Sequence, residues 1–231
     1  MGIVFRFAVL LSLVAGSLMA DSSIDTTSSW NGTTNVPGFG VPNPNIATIG
    51  QTISVSTSSV LTSFAFEIGA CSAAVNIRGE VYAWDGTKAT GPNLFESSGV
   101  TTVPAGSQFQ LISFNTGGII LPPGNYILFA STSKDQSGAP AASCGWGDIL
   151  APGGPGQFIA FEFNGADPTQ WTGQAWNSPA GSNSAFQAIF QPAPPPGTPI
   201  PGTFPLAVAG LIALVLLGRW RLSGHRFRAA P

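Results

Sequence analysis

Between residues 45 and 191 the apolar side chains recur in steps of two, the period of a half-buried strand and not of an amphipathic helix. Ile53 and Val55 flank polar residues, and Phe64, Phe66 and Ile68 line one face of a predicted strand with Glu67 on the other. Val75 and Ile77 open a segment that residues 81–84 continue, and Phe109, Leu111 and Phe114 follow. Residues 126–130 form an unbroken apolar run, as a strand buried on both sides does. Phe158, Phe161 and Phe163 give a further strand, and residues 186–190 close the series. Turn chemistry separates the runs at Asp85-Gly86, Asn115-Thr116-Gly117-Gly118, Pro122-Pro123-Gly124-Asn125, residues 152–156 and Asn164-Gly165. About seven or eight short strands so spaced predict an all-β fold: an antiparallel β-sandwich, and within that class a jelly roll.

Charge narrows the function. Only 8% of the 231 residues are charged, and between the two chain ends the ten acids face only Arg78, Lys88 and Lys134. That stretch is acidic, and the basic face that a phosphate backbone requires is absent, so nucleic acid is not an expected partner. The one histidine, His225, lies in a basic tail, which removes Ser-His-Asp and Cys-His catalysis and His-ligated zinc from the main segment. The chain is expected not to be an enzyme. Residues 21–44, rich in Ser, Thr, Asn, Gly and Pro, read as a loosely ordered N-terminal segment in which Trp30 and Phe39 dock on the sandwich. Residues 192–203, a Pro-rich stretch, favour an extended polyproline spacer.

Both chain ends carry routing signals. Arg6 precedes an apolar run over residues 7–19 that closes on Ala20, the pattern of a secretory signal peptide over residues 1–20. At the other end, Pro199-Ile200-Pro201 precedes an apolar segment over residues 204–218 and a basic tail over 219–231 that holds Arg219, Arg221, Arg226 and Arg228. A helix of that length spans roughly 22 Å, short of a hydrocarbon core of about 30 Å, and Trp220 and the arginines extend the fit. The arginines place the tail in the cytoplasm and the sandwich outside. This order of Pro-x-Pro motif, short transmembrane helix and arginine-rich end resembles the PEP-CTERM sorting signal of Gram-negative bacteria, with Pro199-Ile200-Pro201 standing where the family has Pro-Glu-Pro. The resemblance implies membrane attachment through the helix before processing, a sorting protease of exosortase type, and delivery to the outer surface or an exopolysaccharide-rich matrix. An ordinary permanent anchor is the alternative reading.

Cys71 and Cys144 lie in the exported stretch, where an oxidising compartment favours a disulfide between them. No histidine or cationic run stands beside either to make it a reactive thiol. Glycoside hydrolysis needs two facing carboxylates; Glu80, Asp85, Glu162 and Asp167 are available, each near a turn or an outward strand position where acids are ordinarily solvated. The same residues suit structural calcium, with Asp85-Gly86 and Asn164-Gly165-Ala166-Asp167 as the loops to watch, although neither has EF-hand spacing; no other cofactor is expected. Trp171 and Trp176 lie in the polar stretch over residues 167–177 and are candidates for a glycan platform that would take extracellular polysaccharide; the competing reading makes them caps on an open end of the sandwich. Trp84, beside Val81 and Tyr82, reads as core. Residues 81–92, 114–119 and 167–171 are similar to segments of uncharacterised bacterial envelope proteins, which have no activity to carry over. These readings converge on an exported structural or adhesive component, with a carbohydrate-binding module as the first alternative and a glycoside hydrolase as the second.

Overall fold

The computed structural model describes residues 22–41, 46–135, 141–149, 156–161, 167–177 and 182–194. The chain divides into two compact units, residues 1–193 and 194–231, and the strands described below belong to the first. The signal-peptide, sorting-motif, transmembrane-helix and basic-tail segments lie outside the described residues, as do Glu162, Phe163 and the loop Asn164-Gly165-Ala166.

Strands follow one another as β1 (Ser22–Asp25), β2 (Asn35–Val41), β3 (Thr48–Val55), β4 (Ser59–Gly69), β5 (Val75–Trp84), β6 (Ala89–Glu96), β7 (Thr101–Val103), β8 (Gln110–Leu121), β9 (Gly124–Ser131), β10 (Ala142–Ile149), β11 (Phe158–Phe161), β12 (Asn183–Ser184) and β13 (Phe186–Pro192). Among the described residues they form two antiparallel sheets packed as a sandwich. One runs β1-β13-β4-β10-β12, with β2 also on β10 and β8 also on β4; the other runs β11-β3-β9-β5-β6, with β7 also on β5.

Alternation places the core between these sheets, because successive side chains of a strand point to opposite faces. Phe64, Phe66 and Ile68 of β4 turn inward, as predicted, and meet Ile49, Ile53, Val75, Ile77, Val81, Leu128 and Phe186. Trp146 of β10 packs its ring 4.6 Å from that of Phe66 and 5.1 Å from that of Phe39. Gly79 lets the Phe114 ring press directly against β5, since a Cβ there would collide with that ring. Cys71 and Cys144 are both buried and joined by a disulfide that closes a separation of 73 residues.

Three expectations are corrected. Residues 22–41 are not loosely ordered: β1 pairs with β13 and β2 with β10, while Phe39 is fully buried. Thr26 fastens this segment, its Oγ1 donating to the Ser184 carbonyl at 2.7 Å and accepting from the Phe186 amide at 2.9 Å. Leu111 faces outward at 38% exposure, and the buried residues of β8 are Ile112, Phe114, Thr116 and, beyond the bulge, Leu121; a one-residue error in phase flips a whole strand face. Asn115-Thr116-Gly117-Gly118 is a bulge inside β8, with Gly117 at φ 70° and Gly118 at φ 91°, where the register against β4 shifts between Leu61 and Ser63. Positive-φ glycines serve bulges as well as turns, so the composition could not separate the two.

Candidate functional site

The outer face of the second sheet is where chemistry-bearing side chains collect. Along β5, Val75, Ile77, Gly79 and Val81 face the core, which sends Arg78, Glu80, Tyr82 and Trp84 outward, with Phe129 opposite Glu80 and Ile127 opposite Tyr82 on β9. Residues 167–177 lie across this face. Asp167 opens a 3₁₀ turn at Pro168–Gln170, its Oδ1 accepting from the Thr169 amide at 2.9 Å and the Thr169 hydroxyl at 2.6 Å, with Pro168 suited to the first helical position.

That turn drops two tryptophans onto the sheet. Trp171 sits 4.9 Å from the Phe129 ring and 6.2 Å from Tyr82, while Trp176 is 5.2 Å from Phe129 and 5.9 Å from Trp84. Trp176 Nε1 donates to the Trp171 carbonyl, and its amide donates to the Thr87 carbonyl, both at 2.9 Å. The glycan-platform reading is corrected here: Trp171 is 1% and Trp176 6% exposed, so neither ring offers a sugar its face. They form, with Ala89, Ile127 and Phe129, a second small core on the outside of the sheet. Trp84 is half-buried at its edge.

Beside the aromatic cap lies an ion-pair network. Lys134 Nζ donates to Glu80 Oε1 and to Glu96 Oε2, each at 2.8 Å, and stands 5.3 Å from the centre of the Trp171 ring. Arg78 grips Asp135 with both ends of its guanidinium, Nε at 2.7 Å and Nη2 at 3.0 Å, and reaches Glu96 at 3.7 Å. Asn93 Nδ2 donates to the other Glu80 oxygen. Glu80 is fully buried, against the expectation of a solvated outward acid. Burial pushes its carboxyl above the usual range, opposed by the hydrogen bond and charge of Lys134 and increased by Glu96. Burial works to lower Lys134 as well, but its bonds to the two glutamates outweigh this and hold the ammonium up.

Glu80 and Glu96 are directly opposite in register, and their Lys134-bound oxygens stand no further apart than twice 2.8 Å. A retaining glycosidase separates its carboxyls by about 5–5.5 Å, with the sugar between them. Here the ammonium fills that position and Glu80 has no exposed surface, so the pair anchors the segment of Lys134 and Asp135 to the sheet. The other described candidate acids, Asp85 and Asp167, are engaged locally. Asp85 Oδ1 accepts from the Thr87 amide and hydroxyl and from the Lys88 amide, and the two amides hold its carboxyl low. Asp167, the turn cap, is held low first by the Thr169 hydroxyl. Among the described residues no three His, Cys, Asp or Glu side chains gather in a metal-holding group.

A second polar cluster lies inside the sandwich. Gln51 is fully buried, its Nε2 3.2 Å from Asn183 Oδ1 and its Oε1 accepting from the Ser184 amide at 2.9 Å, while Trp146 Nε1 donates to Ser184 Oγ at 3.0 Å. Asp148, opposite Ser184, accepts from Ser182 at 3.3 Å; burial pushes its carboxyl up, and Oδ1 has no hydrogen-bond partner. A groove of about 310 Å³ opens elsewhere, between β1, the β3–β4 turn and β13, with Ser22, Ser23, Ser56 and Thr57 around Val55 and Phe190. None of its lining residues is charged.

Sequence reasoning missed Asn93, Glu96, Lys134, Asp135, Gln51 and Asp148. Alternation along β5 does put Arg78 and Glu80 on one face, but their partners depend on strand register and on a loop that returns over the sheet. No protein-family model matches the chain, and no curated protein matches it. Among solved structures, the cysteine protease and lectin-like domains of Cwp84, a surface layer associated protein of Clostridium difficile, align at 14% identity and a TM-score of 0.41, over 64% of this chain and 33% of that one. The match thus spans about a third of the length of that solved chain.

Proposed function

We propose that this protein is an exported, non-enzymatic component of the cell envelope or extracellular matrix of a Gram-negative bacterium, a jelly-roll sandwich with a structural or adhesive role. The buried Cys71–Cys144 disulfide is the observation that carries the reading, because such bonds form and persist in oxidising, extracytoplasmic compartments. The locked Glu80–Lys134–Glu96 arrangement supports the non-enzymatic part. Delivery by a PEP-CTERM-like tail through an exosortase-type protease belongs to the same proposal. Its test is surface labelling of intact producing cells, with intact-mass analysis of the envelope protein. The expected mass begins close to Asp21 and lacks everything after about residue 201. Cytoplasmic protein with reduced Cys71 and Cys144, or turnover of any glycan by the purified protein, overturns the proposal; retention of residues 204–231 favours a permanent anchor.

The groove supports a second reading. Hydroxyls around an apolar floor, with no charge, suit a neutral polyhydroxylated ligand such as an exopolysaccharide segment. Retention on the producer's own polysaccharide that is lost in Thr57→Trp, which fills the groove, is the expected result. Binding that survives the filling removes this reading.

A further inference from the structure

An exposed sheet edge offers a row of unpaired N–H and C=O groups to any other strand, and proteins usually blunt such edges with brevity, charge, proline or bulges. This molecule blunts most of its edges. β1 and β11 have four residues and β12 two, while β2 carries Pro37, and β6 carries Pro92 with Gly91 at φ 71° and ends on Glu96.

β8 is the exception. It is twelve residues long, pairs with β4 alone among the described residues, and contains no charged residue and no proline. Its bulge at Gly117-Gly118 lies beyond the stretch Gln110-Leu111-Ile112-Ser113-Phe114-Asn115, which has no glycine either. Six uncharged residues of that kind on an open edge are the composition that favours strand addition. Leu111 is 38% exposed, and Gln110, Ser113 and Asn115 are exposed as well.

We propose that β8 is a self-association edge, and that its partner is β8 of a second copy of this chain, paired antiparallel about a two-fold axis near Ser113. That register sets Ile112 opposite the second copy's Phe114 on the inner face, an aromatic and β-branched pair, and Leu111 opposite Asn115 on the outer face, so inward residues meet inward ones. An isologous contact also closes on itself and yields a discrete dimer. Charge permits it: the neighbouring acid, Glu67, lies one strand in, opposite Leu111. The two Glu67 side chains would be three strand spacings apart across the sheet and four residues apart along it, about 19 Å in all, beyond the screening length of about 8–10 Å. A strand without charge offers a foreign charged partner no electrostatic handle, whereas it complements itself.

The pairing rests on the matrix reading for its purpose, but its test reads association of the purified protein without cells or polysaccharide, so the two fail separately. Sedimentation velocity on the protein purified from its own envelope, across a concentration series, is expected to show the mass doubling. Hydrogen exchange of the amides in residues 110–116 is expected to slow over the same range. Ser113→Lys and Leu111→Lys, both at exposed outward positions, should keep the wild-type melting temperature at concentrations where both proteins are monomeric, and weaken association at least tenfold. Ser58→Lys, the same charge on an exposed turn, should dimerise as wild type does. A monomer mass at every concentration, or a dimer indifferent to both β8 lysines, overturns the proposal.

Discussion

Replacement of Trp171 tests whether the outer aromatic cap is a true second core. The ring is 1% exposed, packed against Phe129 and Tyr82 under the Lys134 ammonium, so truncation to Ala removes an almost wholly buried indole. Such truncations cost about 3–5 kcal/mol. The indole carries a liability as well, since its buried Nε1 has no hydrogen-bond partner, a defect that costs about 1–3 kcal/mol. Trp171→Phe removes this donor while keeping an aromatic ring, so its lost area and relieved donor nearly cancel, and its stability is expected within about 1 kcal/mol of wild type. Urea unfolding followed by circular dichroism supplies both differences, provided the slopes agree. Exchange of the Trp176 amide, bound to the Thr87 carbonyl, reports the cap separately, because a small element can open without global unfolding. A loss below about 1 kcal/mol for Trp171→Ala with the Trp176 amide still protected would refute the second core. A phenylalanine variant as damaged as the alanine one would refute the unpaired-donor reasoning.

Cys144→Ser should lower stability by about 4 kcal/mol, the chain-entropy value for a loop of this length, measured as a fall in melting temperature that reductant reproduces in the wild type; no difference would mean that the bond constrains little. Lys134→Met leaves the fully buried Glu80 without its cation and should cost about 3 kcal/mol at neutral pH. Because burial raises the folded Glu80 carboxyl above the ordinary glutamate value of 4.5, that cost is full only above the raised folded value, and it should fade as the pH falls through it and be largely gone by 4.5, so a pH-independent loss contradicts the assignment. Asp148→Asn should stabilise by about 1–2 kcal/mol at neutral pH, since it removes a buried carboxylate with an unpartnered oxygen. The folded carboxyl holds its proton longer than the unfolded one, so wild-type stability falls as pH rises past 3.8, and the variant's advantage should widen over that range; a variant less stable at neutral pH sinks the idea.

The sequence by itself determined that the chain would be a β-sandwich, because period-two alternation leaves a strand only one way to hide its apolar half. It determined which faces of β4 and β5 point inward, through Phe64, Phe66 and Ile68 and through Val75, Ile77 and Val81. Two cysteines and no third left a single intramolecular pairing to form. Tertiary structure alone decided the rest, and for one physical reason: a polar residue's role depends on what returns to cover it. Glu80 and Asp85 look alike in the chain, yet Lys134 and Asn93 close over one while the other caps its own turn. Trp171 and Trp176 sit in a polar stretch that reads as solvent-facing, and only the fold of that stretch back across β5 and β9 buries them. Whether Gly117-Gly118 ends a strand or kinks it was decided by the register of β8 against β4, a contact between residues more than fifty positions apart.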